Sequence, residues 1–284
     1  MTNSTKAAGL AAHPRSGVAE LSIGAFAALG FIVATTGAIA ADCPRPDSLG
    51  TARVMALEAQ STPRVGLKSF PQTLPLQDKE VVLTFDDGPN PPTTRRVLAA
   101  LAHECVRATF FVIGQSAAAH PDLLKAMAAA GHTIGHHSWS HPNLARLSEA
   151  AAKDDIARGI AADAAALGST ARREVDGDTR GAPAASFFRF PYFASTPALL
   201  RDLESQGMVV FGADLWASDW NTMTPDQEFG LITKRLQTAR RGIILFHDSK
   251  ARTAAMLPHF LRFLRDNDYR IVHVVPRSGE SDGG

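Results

Sequence analysis

From Val81 onward, short apolar runs alternate with stretches in which apolar residues recur every three to four positions. The runs predict strands near 81–85, 108–113, 132–135, 187–190, 208–212, 242–246 and 270–275, with helices between most of them. Several helix ends carry local signals. Thr196-Pro197 and Thr224-Pro225 each place a capping hydroxyl before a first-turn proline, and Gly131 and Gly207 stand where helices should stop. Seven strands in repeated βα order predict an α/β fold with a parallel, helix-covered sheet, either rolled into a barrel or left open.

Two internal segments fall outside this rhythm. Residues 42–79 hold many prolines and polar residues with no sustained period, and read as an extended lead-in packed on the domain surface. Residues 168–186, rich in Gly, Ala, Arg and Asp, read as a surface excursion. At the N-terminus, Leu21 to Ala41 is nearly uncharged, follows Lys6 and Arg15, and ends in Ala38-Ile39-Ala40. That pattern predicts a signal peptide over 1–41, cleaved after Ala40 or Ala41, with a retained N-terminal anchor as the alternative reading. The catalytic domain is then expected over 80–276, followed by a flexible tail, 277–284.

Composition narrows the function classes. The chain has 284 residues, 45% of them apolar and 20% charged, enough to bury a full core. With 29 basic against 28 acidic residues and no long run of one sign, nothing suggests a nucleic-acid groove or a polybasic membrane anchor. A membrane contact is expected only if the N-terminal segment is retained, and a monomer is expected. Cys43 and Cys105 have no metal-site spacing; in an exported chain they read either as one disulfide tying the lead-in to the domain or as two unrelated thiols.

The chemistry sits at strand ends. The first of the seven strands runs straight into Asp86-Asp87-Gly88-Pro89. Two adjacent carboxylates repel each other without a cation, whereas a cation bound to one leaves the other free as a base. Taken alone, the tetrapeptide also reads as an Asp-Gly turn with solvated acids. After the third strand, His137 and His141 lie four residues apart, a spacing that predicts two imidazoles on one side of a helical turn ended by Pro142. Two nitrogens and a carboxylate suit a hard or borderline divalent ion with positions open to water. His132 and His136 read as strand-end residues or as residues that support the ligands from behind.

Thr84-Phe85-Asp86-Asp87-Gly88-Pro89 together with His137-Ser138-Trp139-Ser140-His141 resembles the polysaccharide deacetylase family, the NodB-type carbohydrate esterases. Three further family motifs occur in order: Arg189-Phe190-Pro191-Tyr192, Asp219-Trp220 and Leu245-Phe246-His247-Asp248. Over residues 80–275, the resemblance implies an irregular (β/α)7, TIM-barrel-like fold. It makes Asp86 the general base and Asp87, His137 and His141 the metal ligands. Arg189 would fix Asp86, Asp219 would orient His247, and His247 would be the general acid. Trp220 and Leu245 would line a slot for the acetyl methyl, and the Tyr192 N–H would help bind an oxyanion. Two positions depart from the family: His136, where Asn, Ser or Asp often stands, and Phe193, where Gly commonly follows.

The expectation is an exported deacetylase of N-acetylated amino sugars in a glycan such as chitin oligomers or peptidoglycan. One divalent ion is expected, zinc first and cobalt as a substitute. An amidase or esterase acting on another acylated substrate, and a catalytically silent carbohydrate-binding relative, are the alternatives. A silent relative is expected to lack Asp86 or His247, and both are present.

Overall fold

The structure, a computed structural model, describes Cys43 and residues 45–168 and 186–277. The expected signal peptide, most of the 168–186 excursion and the tail beyond Arg277 lie outside the described residues. Among the described residues, no helix is long and apolar enough to cross a membrane.

Among the described residues, ten strands and seven α-helices follow one another. The strands are β1 (Arg53–Leu57), β2 (Arg64–Val65), β3 (Glu80–Asp86), β4 (Thr109–Val112), β5 (Thr133–His136), β6 (Phe187–Phe188), β7 (Val209–Phe211), β8 (Leu215–Trp216), β9 (Gly242–His247) and β10 (Arg270–Pro276). The helices are α1 (Thr93–His103), α2 (Gly114–Ala119), α3 (Pro121–Ala129), α4 (Glu149–Leu167), α5 (Pro197–Ser205), α6 (Pro225–Ala239) and α7 (Ala251–Asp266). Every strand pairing among the described residues is parallel. β3 pairs β9 from Val81 to Asp86, β4 at its last three residues and β10 at its first two, and the series runs on from β4 through β5, β6 and β7 to β2. This is the parallel, helix-covered, barrel-like architecture expected from the sequence.

The capping signals act as read. The Thr196 hydroxyl accepts from Leu199 N, and Thr224 with Gln227 forms a reciprocal capping box at the start of α6. Gly207 follows α5 with φ +72°, a conformation that costs a residue with a Cβ about 1–2 kcal/mol.

The lead-in corrects the sequence reading. Segment 42–79 is not merely laid on the surface: β1 pairs β10, β2 pairs β7, and Leu57, Val65, Leu74 and Leu76 are buried in the core. β1, Arg-Val-Met-Ala-Leu, has no clean apolar/polar alternation and β2 is two residues with no apolar run around it, so only pairing reveals them. β8, also two residues long, escaped for the same reason. Cys43 and Cys105 are joined as a disulfide with Cα atoms 5.8 Å apart, which resolves the two readings of those thiols.

Strand alternation decides what faces the barrel interior. Val81, Leu83 and Phe85 of β3 join Ile244 and Phe246 of β9 in the cluster beneath α1 and α7. Their alternates, Val82 and Ile243, join Phe111, Phe187 and Phe211 in a second cluster on the opposite face. The inner row of β3 therefore continues from Val82 through Thr84 to Asp86, and that of β9 from Ile243 through Leu245 to His247. Phe187 puts Arg189 on the inner row in the same way. Polar groups thus surface where inner rows reach the strand C-termini, which is where barrel sites form.

Candidate active site

Asp86 is buried at the end of β3, and its Oδ1 accepts from Arg189 Nη1 at 2.7 Å. The same Nη1 donates to Thr84 Oγ1 at 2.8 Å, Nη2 donates to Gly212 O at 2.7 Å, and the guanidinium lies 4.3 Å from the Phe111 ring centre. A fully buried guanidinium is costly unless its donors are occupied, and these partners meet most of that demand. Burial pushes the Asp86 carboxyl above the usual carboxylate range, although Arg189 and the nearby imidazoles oppose the shift. Arg189 therefore aims the carboxyl without extinguishing its capacity to take a proton.

Beside it, Asp87, His137 and His141 each turn one ligand-type atom inward, all within 4.8 Å of one another. His141 Nε2 lies 3.3 Å and His137 Nε2 3.7 Å from Asp87 Oδ1. That oxygen is buried and has no hydrogen-bond partner. His137 Nδ1 donates to Arg189 O at 2.7 Å, which leaves the Nε2 lone pair facing the carboxylate. Burial pushes the His137 pKa down to about 3, which keeps the ring neutral. An orphaned carboxylate oxygen opposite a neutral imidazole's lone pair is an arrangement a divalent cation satisfies and a proton does not. The three residues thus fit a metal.

The helical turn expected around His137 and His141 is absent. The segment is an irregular loop in which Ser138 (φ +65°) and His141 (φ +57°) are left-handed. Asp155 from α4 overrides the local spacing: one carboxylate oxygen accepts from Trp139 N at 2.9 Å and Ser140 N at 3.3 Å, and the other from Ser140 Oγ at 2.6 Å. Gly159, one turn further along α4, lets the helix approach the loop so closely that an added Cβ would lie 2.5 Å from the Ser138 carbonyl carbon. Left-handed non-glycine residues gather here, with Asp87 at φ +76° and Tyr192 at +58° as well. Such backbone persists only where surrounding contacts over-determine it.

On β9, in register with Asp86, His247 Nδ1 donates to Asp219 Oδ1 at 2.7 Å, and its Nε2 lies 4.0 Å from Asp87 Oδ2. Asp219 Oδ2 accepts from the backbone N–H of His247 at 2.7 Å and from Thr253 Oγ1 at 2.8 Å. Burial opposes the charged imidazole, but the bond to Asp219 and the charges of Asp219, Asp86 and Asp87 prevail and raise its pKa to about 9. This histidine carries a proton at neutral pH and presents it to the cluster.

The remaining predicted residues form the rim. Trp220, half exposed, stands edge-on to His247 with ring centres 5.9 Å apart, and Leu245 lies buried two residues before His247 on the same inner row. Tyr192, 67% exposed, stands edge-on to His141 at 4.7 Å. Phe193 is left-handed as well, at φ +56°, a conformation that glycine adopts without steric cost. His136, at the end of β5, has Nδ1 2.7 Å from Asp163 Oδ2, and His132 Nδ1 accepts from Ala108 N at 3.1 Å.

All ten predicted site residues therefore collect at one end of the barrel. Sequence reasoning missed Asp155, Thr253 and Asp248. Asp248 is buried under the Asp86-to-Pro89 loop, where it accepts from Thr94 Oγ1 at 2.5 Å. Only for Asp248, beside His247 in a motif, did any local signal exist.

Comparison with known proteins adds lineage to this geometry. Residues 73–174 match the family model described as polysaccharide deacetylase. The chain is 32% identical over 171 residues to a chitooligosaccharide deacetylase of Bradyrhizobium, covering 60% of this chain and 71% of the relative. It is 31% identical over 205 residues to the peptidoglycan-N-acetylglucosamine deacetylase PgdA of Listeria monocytogenes, covering 72% of this chain but only 40% of that longer protein. Among solved structures, a peptidoglycan deacetylase of Bdellovibrio bacteriovorus superposes with a TM-score of 0.69 at 27% identity, over 86% of this chain and 65% of that one. The family model covers the metal-type cluster, and the chitooligosaccharide deacetylase is matched over more than two thirds of its own length: the chain belongs to the polysaccharide deacetylase family.

Proposed function

We propose that this protein is an exported, metal-dependent deacetylase that hydrolyses the N-acetyl groups of amino sugars in a glycan such as peptidoglycan or chitin oligomers. One observation carries the reading: an aimed carboxylate, Asp86, and a protonated imidazole, His247, are register partners on adjacent strands and both face the same metal-type cluster. Asp87, His137 and His141 would hold the ion, with zinc favoured by two imidazoles and a carboxylate and cobalt able to replace it. When bound, the ion would polarise the amide carbonyl and make a water molecule acidic near neutral pH.

The other groups follow from their own chemistry. Asp86, buried and held by Arg189, accepts the proton of the attacking water. His247 delivers its proton to the leaving nitrogen, which would otherwise depart as an amine anion. Asp219 keeps that imidazole charged and fixes its tautomer through Nδ1. Trp220 and Leu245 flank the position for the acetyl methyl, and the Tyr192 N–H serves the developing oxyanion. The Bradyrhizobium and Listeria relatives carry names that bracket the substrate class. The Cys43–Cys105 bond and the leader-like N-terminus support export to an oxidising compartment, periplasmic or extracellular. The chain is read as a monomer.

Acetate release measured across chitin oligomers, peptidoglycan and acetylated xylan, with zinc or cobalt supplied, tests the reading. Release from an N-acetylated glycan, abolished by chelation and restored by added metal, is expected. Full activity in a rigorously metal-free sample would overturn it.

A further inference from the structure

Behind Asp219 lies a second buried carboxyl that the proposed mechanism does not use. Glu228, in the first turns of α6, is fully buried, and its Oε1 lies 3.0 Å from Thr253 Oγ1. Thr253, fully buried on α7, also lies 2.8 Å from Asp219 Oδ2. A hydroxyl has one proton and cannot donate to two carboxylates at once. Were Glu228 ionised, one of the two acids would lose its bond, and two negative charges would share a dry site. Glu228 Oε2 is buried without a partner, tolerable on a neutral acid and costly on an anion.

The arrangement closes when Glu228 carries the proton. Its O–H then donates to Thr253, Thr253 donates to Asp219, and Asp219 receives both His247 N–H groups. We propose that Glu228 is a positioning residue for the His247–Asp219 pair, a neutral carboxylic acid whose bond to Thr253 commits the Thr253 proton to Asp219 and so holds that carboxylate in line with the imidazole. The electrostatics agree: burial and the neighbouring Asp219 charge raise the Glu228 pKa to about 7, against the pull of Thr253, Arg252 and His247. The N-terminal end of α6, which favours an anion, is likewise outweighed. The proposal rests on His247 being the acid.

The test uses the zinc-loaded full chain and the variants Glu228→Gln, Glu228→Ala and Thr253→Val. An amide at 228 still donates to Thr253, so E228Q is expected to keep kcat within about threefold and to preserve the downfield proton resonance of His247 Nδ1–H. E228A and T253V should each lower kcat about tenfold with KM unchanged, shift that resonance upfield, and cause no further loss when combined. Infrared difference spectra at mildly acidic pH should show one neutral carboxylic-acid carbonyl band lost in E228Q. The proposal is overturned if that band is unchanged, if E228Q shifts the resonance as far as E228A, or if E228A leaves both kcat and the resonance unaltered. Should E228A fail to fold, the E228Q infrared spectrum and the T253V resonance still decide. If the chain releases acetate from no glycan, the proposed function fails, whereas the resonance and infrared readouts still decide on Glu228.

Discussion

Asp86 and Asp219 are the same residue type, both buried, both bonded at 2.7 Å to a cationic side chain, yet their environments drive them in opposite directions. Asp86 has one bond from Arg189 Nη1 on Oδ1, and burial outweighs it, so its carboxyl rises above the ordinary range. Burial acts on Asp219 as well, but three donors converge on it, the His247 ring, the His247 backbone N–H and Thr253, and its carboxyl falls below that range. The number of donors, more than depth, separates a group able to take a proton from one that stays an anion. Divergent pKa values on one site are how a single fold runs acid and base chemistry together.

The comparison breaks most visibly at Asp86. Asp86→Asn removes the proton acceptor but none of the three ligand-type groups, so kcat should fall by about 10³-fold while bound metal, measured by elemental analysis, stays stoichiometric. A variant within a few-fold of wild type would mean that another group is the base. Asp219→Asn should cost less, about 10²-fold in kcat, because His247 remains in place but loses the charge that keeps it protonated. The pH–rate profile should show this as an acid limb lost at lower pH than in wild type; an unshifted profile would sever Asp219 from His247.

The smallest effect is on stability. The His247 pKa, about 9 when folded, lies above its ordinary value of 6.5. Its stabilising contribution is therefore fully present below pH 6.5 and is lost as pH rises through about 9. Denaturant titrations of the metal-free chain should show wild type losing stability across that window and His247→Ala losing less. Equal slopes for the two proteins would remove the charged imidazole from the account.

Legibility differed between local and non-local features. The seven longer-signalled strands, the caps at Thr196 and Thr224 and the adjacent pairs within each motif were readable, because each depends on neighbours a few residues away. The ligand loop was misread as a helical turn, since its shape depends on Asp155, a residue that in the sequence looks like part of a solvated helix face. β1, β2 and β8 carry no apolar run or clean alternation of their own, so only their pairing reveals them.

By itself, the sequence determined the alternation of strands and helices, the residue types at the strand ends and the resemblance those motifs carry. Hydrophobic period, capping and covalent adjacency are short-range properties written along the chain. Only the tertiary structure decided that Arg189 reaches Asp86 across 103 positions, that His247 and Asp219 pair, and that Thr253 ties Asp219 to Glu228. Those contacts, and the proton affinities that follow from them, arise from burial and from parallel strand register, neither of which is a property of any one segment.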